Sequence, residues 1–168
     1  NRNIYGNPSS MHRKGIEAER LIKKARANIA DSLKADSREI IYTSGGTESN
    51  NLAIKGYLAA NSRKGKDIVT SKIEHPSVLE VFKKLENRGY NVRYAGVGKN
   101  GIIDLNDLKN KLSPETSLIS IIHVNNETGS IQPVEQIVNI RDSVCKDAVV
   151  HIDALQSYGK FHIFPKKL

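Results

Sequence analysis

Ser117-Leu118-Ile119-Ser120-Ile121-Ile122 runs straight into His123-Val124-Asn125-Asn126-Glu127-Thr128-Gly129. The first six residues are apolar or small and show no alternation with charged positions. Such a run reads as a strand covered on both faces, as in a parallel sheet flanked by helices. The seven residues after it are polar and turn-forming. The same switch recurs along the chain. Glu39-Ile40-Ile41-Tyr42-Thr43 precedes Ser44-Gly45-Gly46-Thr47, Asp67-Ile68-Val69-Thr70-Ser71 precedes His75, and Ala148-Val149-Val150-His151-Ile152 precedes Asp153 and Gln156. Ligands of an open parallel sheet bind outside the carboxyl ends of its strands. Thr47, His75, Asn125, Asp153 and Gln156 are therefore expected around one pocket.

Helical patterns separate the strands. A helix is predicted from about Gly15 to Leu33, with Ile22, Ala25, Ile29 and Leu33 on one face, and another from the Gly45-Gly46 region onward, with Leu52, Ala53, Ala59 and Ala60 among its apolar positions. His75-Pro76 opens a third, amphipathic through Val78, Val81, Phe82 and Leu85, with Gly89 as its stop. Asn91 to Ala95 is a further strand, Asp104 caps a short helix to about Leu112, and Pro133 opens the last helix, to about Cys145. Strand and helix in alternation predict an α/β fold: three layers, α/β/α, around a mainly parallel sheet. The joins are short, so residues 1–168 are read as one domain, incomplete at both ends.

Composition narrows the class. The 168 residues carry a net charge of +8, but the basic residues are dispersed and several have acidic partners, Glu19 with Lys23 and Glu80 with Lys84 among them. Six Tyr, three Phe and no Trp make a base-stacking surface for nucleic acid a poor fit. No apolar stretch approaches the ~18 residues of a membrane span. The single cysteine, Cys145, suits a reducing compartment, so a soluble, cytoplasmic protein is expected.

Ser44-Gly45-Gly46-Thr47-Glu48-Ser49-Asn50 joins a strand to a helix. Glycine lets the backbone approach a ligand closely, and the first amides of the helix are free to hold an anion, with the Thr47 hydroxyl beside them. No Lys-Ser/Thr pair follows at P-loop spacing. Gly96-x-Gly98-x-x-Gly101 matches a dinucleotide fingerprint in form only, because Ile102 and Ile103 follow and the helix begins near Asp104; Asn100-Gly101 is read as a turn.

Asp153 ends a buried strand, where a carboxylate needs a partner: a buried arginine, a metal, or a protonated heterocycle. No third metal ligand accompanies His151-x-Asp153, and the two side chains are read as facing opposite sides of the strand. A pyridinium nitrogen fits best. The His75 imidazole can stack on such a ring and move protons, while Asn125 and Gln156 can donate to a phenolate oxygen. Each has an ordinary alternative as a cap or loop residue. Together with a phosphate seat at Gly46 and Thr47 they describe pyridoxal 5′-phosphate.

These residues resemble the cysteine desulfurases of the class V aminotransferase family. The resemblance lies in Gly6-Asn7-Pro8-Ser9-Ser10-x-His12, in Thr43 to Asn51, in Glu74-His75-Pro76-Ser77-Val78-Leu79, in His123 to Gly129 and in His151-Ile152-Asp153-Ala154-Leu155-Gln156. It implies a large cofactor domain of the aspartate-aminotransferase type in a homodimer. It implies phosphate binding at Gly46 and Thr47, stacking and proton transfer by His75, pairing of Asp153 with the pyridine nitrogen, and orientation of the ring by Asn125 and Gln156. The activity implied is conversion of L-cysteine to L-alanine, with sulfur passed as a persulfide to a scaffold protein for iron–sulfur cluster or nitrogenase assembly. The same chemistry in a selenocysteine lyase or another class V aminotransferase is the alternative, as is a non-catalytic module retaining the fold.

The family's Schiff-base lysine follows a Ser-x-His-Lys pattern, which Lys160, Lys166 and Lys167 do not match, and Cys145 lies on a helix rather than on the family's catalytic loop. The chain alone is therefore expected to bind the cofactor only non-covalently and to release no sulfide from cysteine. Turnover by these residues alone would refute that expectation.

Overall fold

Four strands hydrogen-bond in parallel in the computed structural model, which describes residues 5–167. The chain divides into two compact units, Asn1–Tyr42 with His162–Leu168, and Thr43–Phe161.

The larger unit alternates helix and strand: α2 (Gly46–Ala60), β1 (Asp67–Ser71), α3 (Pro76–Glu86), β2 (Asn91–Ala95), α4 (Leu105–Lys111), β3 (Thr116–Ile122), α5 (Val134–Val144) and β4 (Val149–Asp153), preceded in the smaller unit by α1 (Arg13–Leu33). The sheet order is β2-β1-β3-β4. After β1 the chain moves outward to β2; it then returns past β1 to β3 and leaves toward β4. The order therefore reverses between β1 and β3, and a crevice opens there at the carboxyl ends.

Every residue of β3 is buried, as its unbroken apolar run requires. Alternate side chains feed two cores. On one side Ile68 and Leu118 pack with Ile54 and Leu58 of α2 and with Val78, Val81, Phe82 and Leu85 of α3. On the other, Val69, Ile119 and Ile121 pack with Leu108 of α4 and Ile137 of α5. The result is the expected α/β/α sandwich. Cys145 caps α5 within the second core, and burial pushes its thiol pKa up.

Local signals explain most boundaries. Asp104 caps α4 by accepting from the Asn106 and Asp107 amides. His75 caps α3, with Pro76 at its start, and Gly89 turns the chain beyond it at φ 81°. The Gly96–Ile103 segment is a turn, with Gly101 at φ 72° and the Gly98 amide donating to the Ile102 carbonyl.

Several expectations need correction. Residues 40–43 form no strand: Ser37–Glu39 is a 3₁₀ turn, and the segment after it has no ladder partner among the described residues. Ile41 is 70% exposed, so β-branched composition without a neighbouring strand did not make a strand. The buried stripe of α2 is Asn50, Ile54 and Leu58, not Leu52, Ala53, Ala59 and Ala60. In α1, Ile22 and Ala25 are exposed, while Ile29 and Leu33 are half-buried; only Gly15 and Ala30 are buried. Glu19 pairs with Lys23 as expected, at 2.7 Å, but Glu80 pairs with Lys83 rather than Lys84, since positions three and four away share a helix face.

Phe82 is fully buried and Leu52 is half exposed. Phe82→Ala should lower the unfolding free energy by roughly 3–5 kcal/mol, whereas Leu52→Ala should change it by less than about 0.5 kcal/mol. Denaturant titration of both variants checks the packing described here.

Candidate functional site

The carboxyl ends of β1, β3 and β4 and the first turns of α2 and α3 converge at one rim of the larger unit. The chain reaches α2 through Gly45 and Gly46 because no side chain is needed there. A Cβ on Gly46 would come within 3.2 Å of the Leu155 side chain, which brings the turn after β4 beside the start of α2. No side chain caps this helix. Its first amides point outward with the positive end of the helix dipole. Thr47 is exposed beside them, and Ser44 donates from both its amide and its hydroxyl to Glu48, closing the turn.

One helical turn after Thr47, Asn50 reaches across to β4. Its amide nitrogen donates to Asp153 Oδ2 at 2.8 Å and to Ser77 Oγ at 2.9 Å. Ser77 Oγ lies 2.8 Å from His75 Nδ1, which also accepts from the Ser77 backbone amide at 3.1 Å. Thr47, His75 and Asp153 are thus brought to one rim by two residues that the sequence reading did not single out. Asn50 was detectable: it continues the apolar stripe of Ile54 and Leu58 at a spacing of four, so its amide had to be buried. Ser77 carried no comparable signal, since a serine at a helix start is commonplace.

Asp153 is 6% exposed. Its Oδ1 accepts from the Leu155 amide at 3.0 Å, and no cation pairs with it among the described residues. A carboxylate retains spare lone pairs after two such bonds. His151 shares a face with Asp153, contrary to the expectation, because strand side chains repeat every two residues. Burial lowers the His151 pKa and the Asp153 charge partly opposes that; its Nδ1 lies 2.8 Å from Ser120 Oγ. Among the described residues no group of His, Cys, Asp and Glu is arranged to hold a metal.

Asn125 is buried and spans the crevice between β1 and β3. Its Nδ2 donates to the Ile73 carbonyl at 2.9 Å, and its Oδ1 accepts from the Glu127 and Thr128 amides and the Thr128 hydroxyl. It pins the β1–α3 connection and keeps one amide hydrogen unspent. Gln156 is half-buried on the turn after β4, and its side chain makes no hydrogen bond to a described residue.

Glu74, just before His75, is 4% exposed. Ser71 Oγ donates to its Oε1, and its Oε2 is buried with no hydrogen-bond partner. Burial pushes its pKa up to about 8, with the Asp153 charge adding to the rise and the Ser71 bond opposing it. A neutral acid therefore lies under the turn that carries His75.

The whole chain, residues 1–168, matches the model of the aminotransferase class-V family, and it belongs to that family. It is 51% identical over 98% of its length to the cysteine desulfurase IscS of Buchnera aphidicola subsp. Schizaphis graminum. It is 49% identical over 98% to the cysteine desulfurase IscS of Photorhabdus laumondii. It spans 41% of the length of each. Among solved structures, a NifS-like protein superposes with a TM-score of 0.93 at 39% identity, covering 99% of this chain and 46% of that one. A structure named SspA in complex with cysteine gives 0.88 at 40%, covering 96% and 46%.

Glu74 makes stability depend on pH. Unfolded, it ionises near 4.5; folded, it keeps its proton to about 8. Between those values the folded state binds more protons than the unfolded state, so stability falls as pH rises. The fall should approach about 1.4 kcal/mol per pH unit and level off above pH 8. Glu74→Gln should abolish this component, and parallel denaturation profiles for the two proteins from pH 5 to 8 would contradict the burial of a protonated acid.

Proposed function

We propose that residues 1–168 are part of the larger, cofactor-binding domain of a pyridoxal-phosphate-dependent cysteine desulfurase. The substrate is L-cysteine, the products are L-alanine and a protein-bound persulfide, and the sulfur goes to a scaffold protein for iron–sulfur cluster assembly. The working unit is a homodimer in the cytoplasm; among the described residues no helix is long and apolar enough to cross a membrane. Relatives named cysteine desulfurase at about half identity across nearly all of this chain support the reading, as does a similar structure named as a complex with cysteine.

The observation that carries it is Asp153. A carboxylate 6% exposed, held by two neutral N–H donors and without a cation among the described residues, is a costly arrangement unless a cationic N–H completes it. A pyridinium nitrogen supplies that group. The uncapped start of α2, one turn away, suits the phosphate, with Gly46 and Thr47 as its seat. The donor set therefore fits pyridoxal 5′-phosphate. When bound, the cofactor supplies an electron-withdrawing ring. With it bound, Asp153 would keep the ring nitrogen protonated, His75 would lie against the ring and move protons at its free nitrogen, and Asn125 and Gln156 would orient the phenolic oxygen. The lysine that attaches the cofactor and the thiol that takes the sulfur are assigned to residues beyond this chain.

In the protein that carries this chain, Asp153→Ala should lower sulfide release from L-cysteine on the order of 10²–10³-fold, as expected for loss of an electrostatic contact to the reacting group. Thr47→Val should weaken cofactor retention about tenfold or more, the worth of one hydrogen bond to a charged group. Sulfide and alanine assays with spectroscopic cofactor titration measure both. Full activity in Asp153→Ala would overturn the assignment.

A further inference from the structure

The four-residue chain from Asp153 to His75 has only one consistent set of donors. Asn50 must turn its amide nitrogen toward Asp153, because the reverse orientation would set a carbonyl oxygen against a carboxylate. That nitrogen has two hydrogens; Asp153 Oδ2 takes one and Ser77 Oγ the other. The Ser77 backbone amide donates to His75 Nδ1 at 3.1 Å, so that nitrogen is an acceptor and the Ser77 hydroxyl, 2.8 Å away, must be the donor between them. Nδ1 is thus an acceptor on both counts. Asn50 is 5% exposed and Ser77 9%, so water does not readily substitute for either bond.

We infer that Asn50 and Ser77 form a relay that holds His75 with its proton on Nε2 and ties the orientation of its ring to the Asp153 carboxylate. Both are positioning residues for the reaction proposed above, and the inference rests on that reading. Asn50 meets three elements in one place: α2 through its own backbone, β4 through Asp153 and α3 through Ser77. The carboxylate and the imidazole, 78 positions apart in sequence, are thereby held as one unit. The Nδ1 edge is spent on the helix cap and the relay, which leaves Nε2 as the nitrogen that carries or releases a proton.

The test uses the full protein that carries this chain. Nitrogen-15 NMR of the histidine-labelled wild type should show His75 protonated at Nε2 and unprotonated at Nδ1. Ser77→Ala keeps the backbone cap but removes the hydroxyl. It should loosen the ring's orientation, while the backbone cap still keeps Nδ1 unprotonated, and lower kcat about five- to tenfold, the worth of one hydrogen bond, with KM changed less than about twofold. Ser77→Thr should restore both. Asn50→Ala should lower kcat at least as far, and thermal unfolding shows whether each variant is folded. A ring protonated at Nδ1 in the wild type overturns the relay, as does an active wild type whose kcat survives Ser77→Ala and Asn50→Ala. A wild type that releases no sulfide from cysteine overturns the functional reading instead, and the NMR result then decides the relay by itself.

Discussion

The parallel pairing of β1 with β3 is the constraint on which the rest of the structure depends. Because the two strands run the same way, their carboxyl ends open at the same rim, and the chain leaves them in opposite directions. Neither connection can cross the gap between them, so the crevice is left for polar groups. Asn125 bridges it, Glu74 lies buried beside it, and β4 adds Asp153 one strand further along. An antiparallel arrangement of the same strands would send half of these residues to the far edge of the sheet.

Given that rim, the chemistry follows from desolvation. A carboxylate that loses nearly all its water is stable only with good donors around it. Asn50 and the Leu155 amide supply two, both neutral, and lone pairs remain. The neighbouring buried acid, Glu74, responds to the same low-water environment by holding its proton, which limits the negative charge gathered at this rim. One site therefore contains a carboxylate stabilised by donors and another neutralised by burial.

Much of this was legible in the chain. The strands β1 and β2 begin and end where the sequence placed them, and α3, α4 and α5 begin within a residue of their cap or proline signals. The two elements that flank His75, β1 and α3, were therefore readable. The misreadings share a cause. Residues 40–43 have strand composition, but a strand is defined by a neighbour, and none of the described residues is one. The alanines of α2 are compatible with either face of a helix, so only the position of the sheet selected Asn50, Ile54 and Leu58 as the buried side. Asn125 was legible as a polar residue at a strand exit, but not as a brace across the crevice.

The sequence by itself determined the α/β class, the order of the elements from α2 onward, and the polar residues near the strand ends, because strand and helix periodicity and capping are local properties of the chain. Only the tertiary structure decided that Asn50 and Ser77 link Asp153 to His75, that Glu74 is buried deeply enough to stay protonated, and which stripe of α2 faces the sheet. Those outcomes depend on distances between residues 27 and 103 positions apart and on the exclusion of water between layers, neither of which any local pattern encodes.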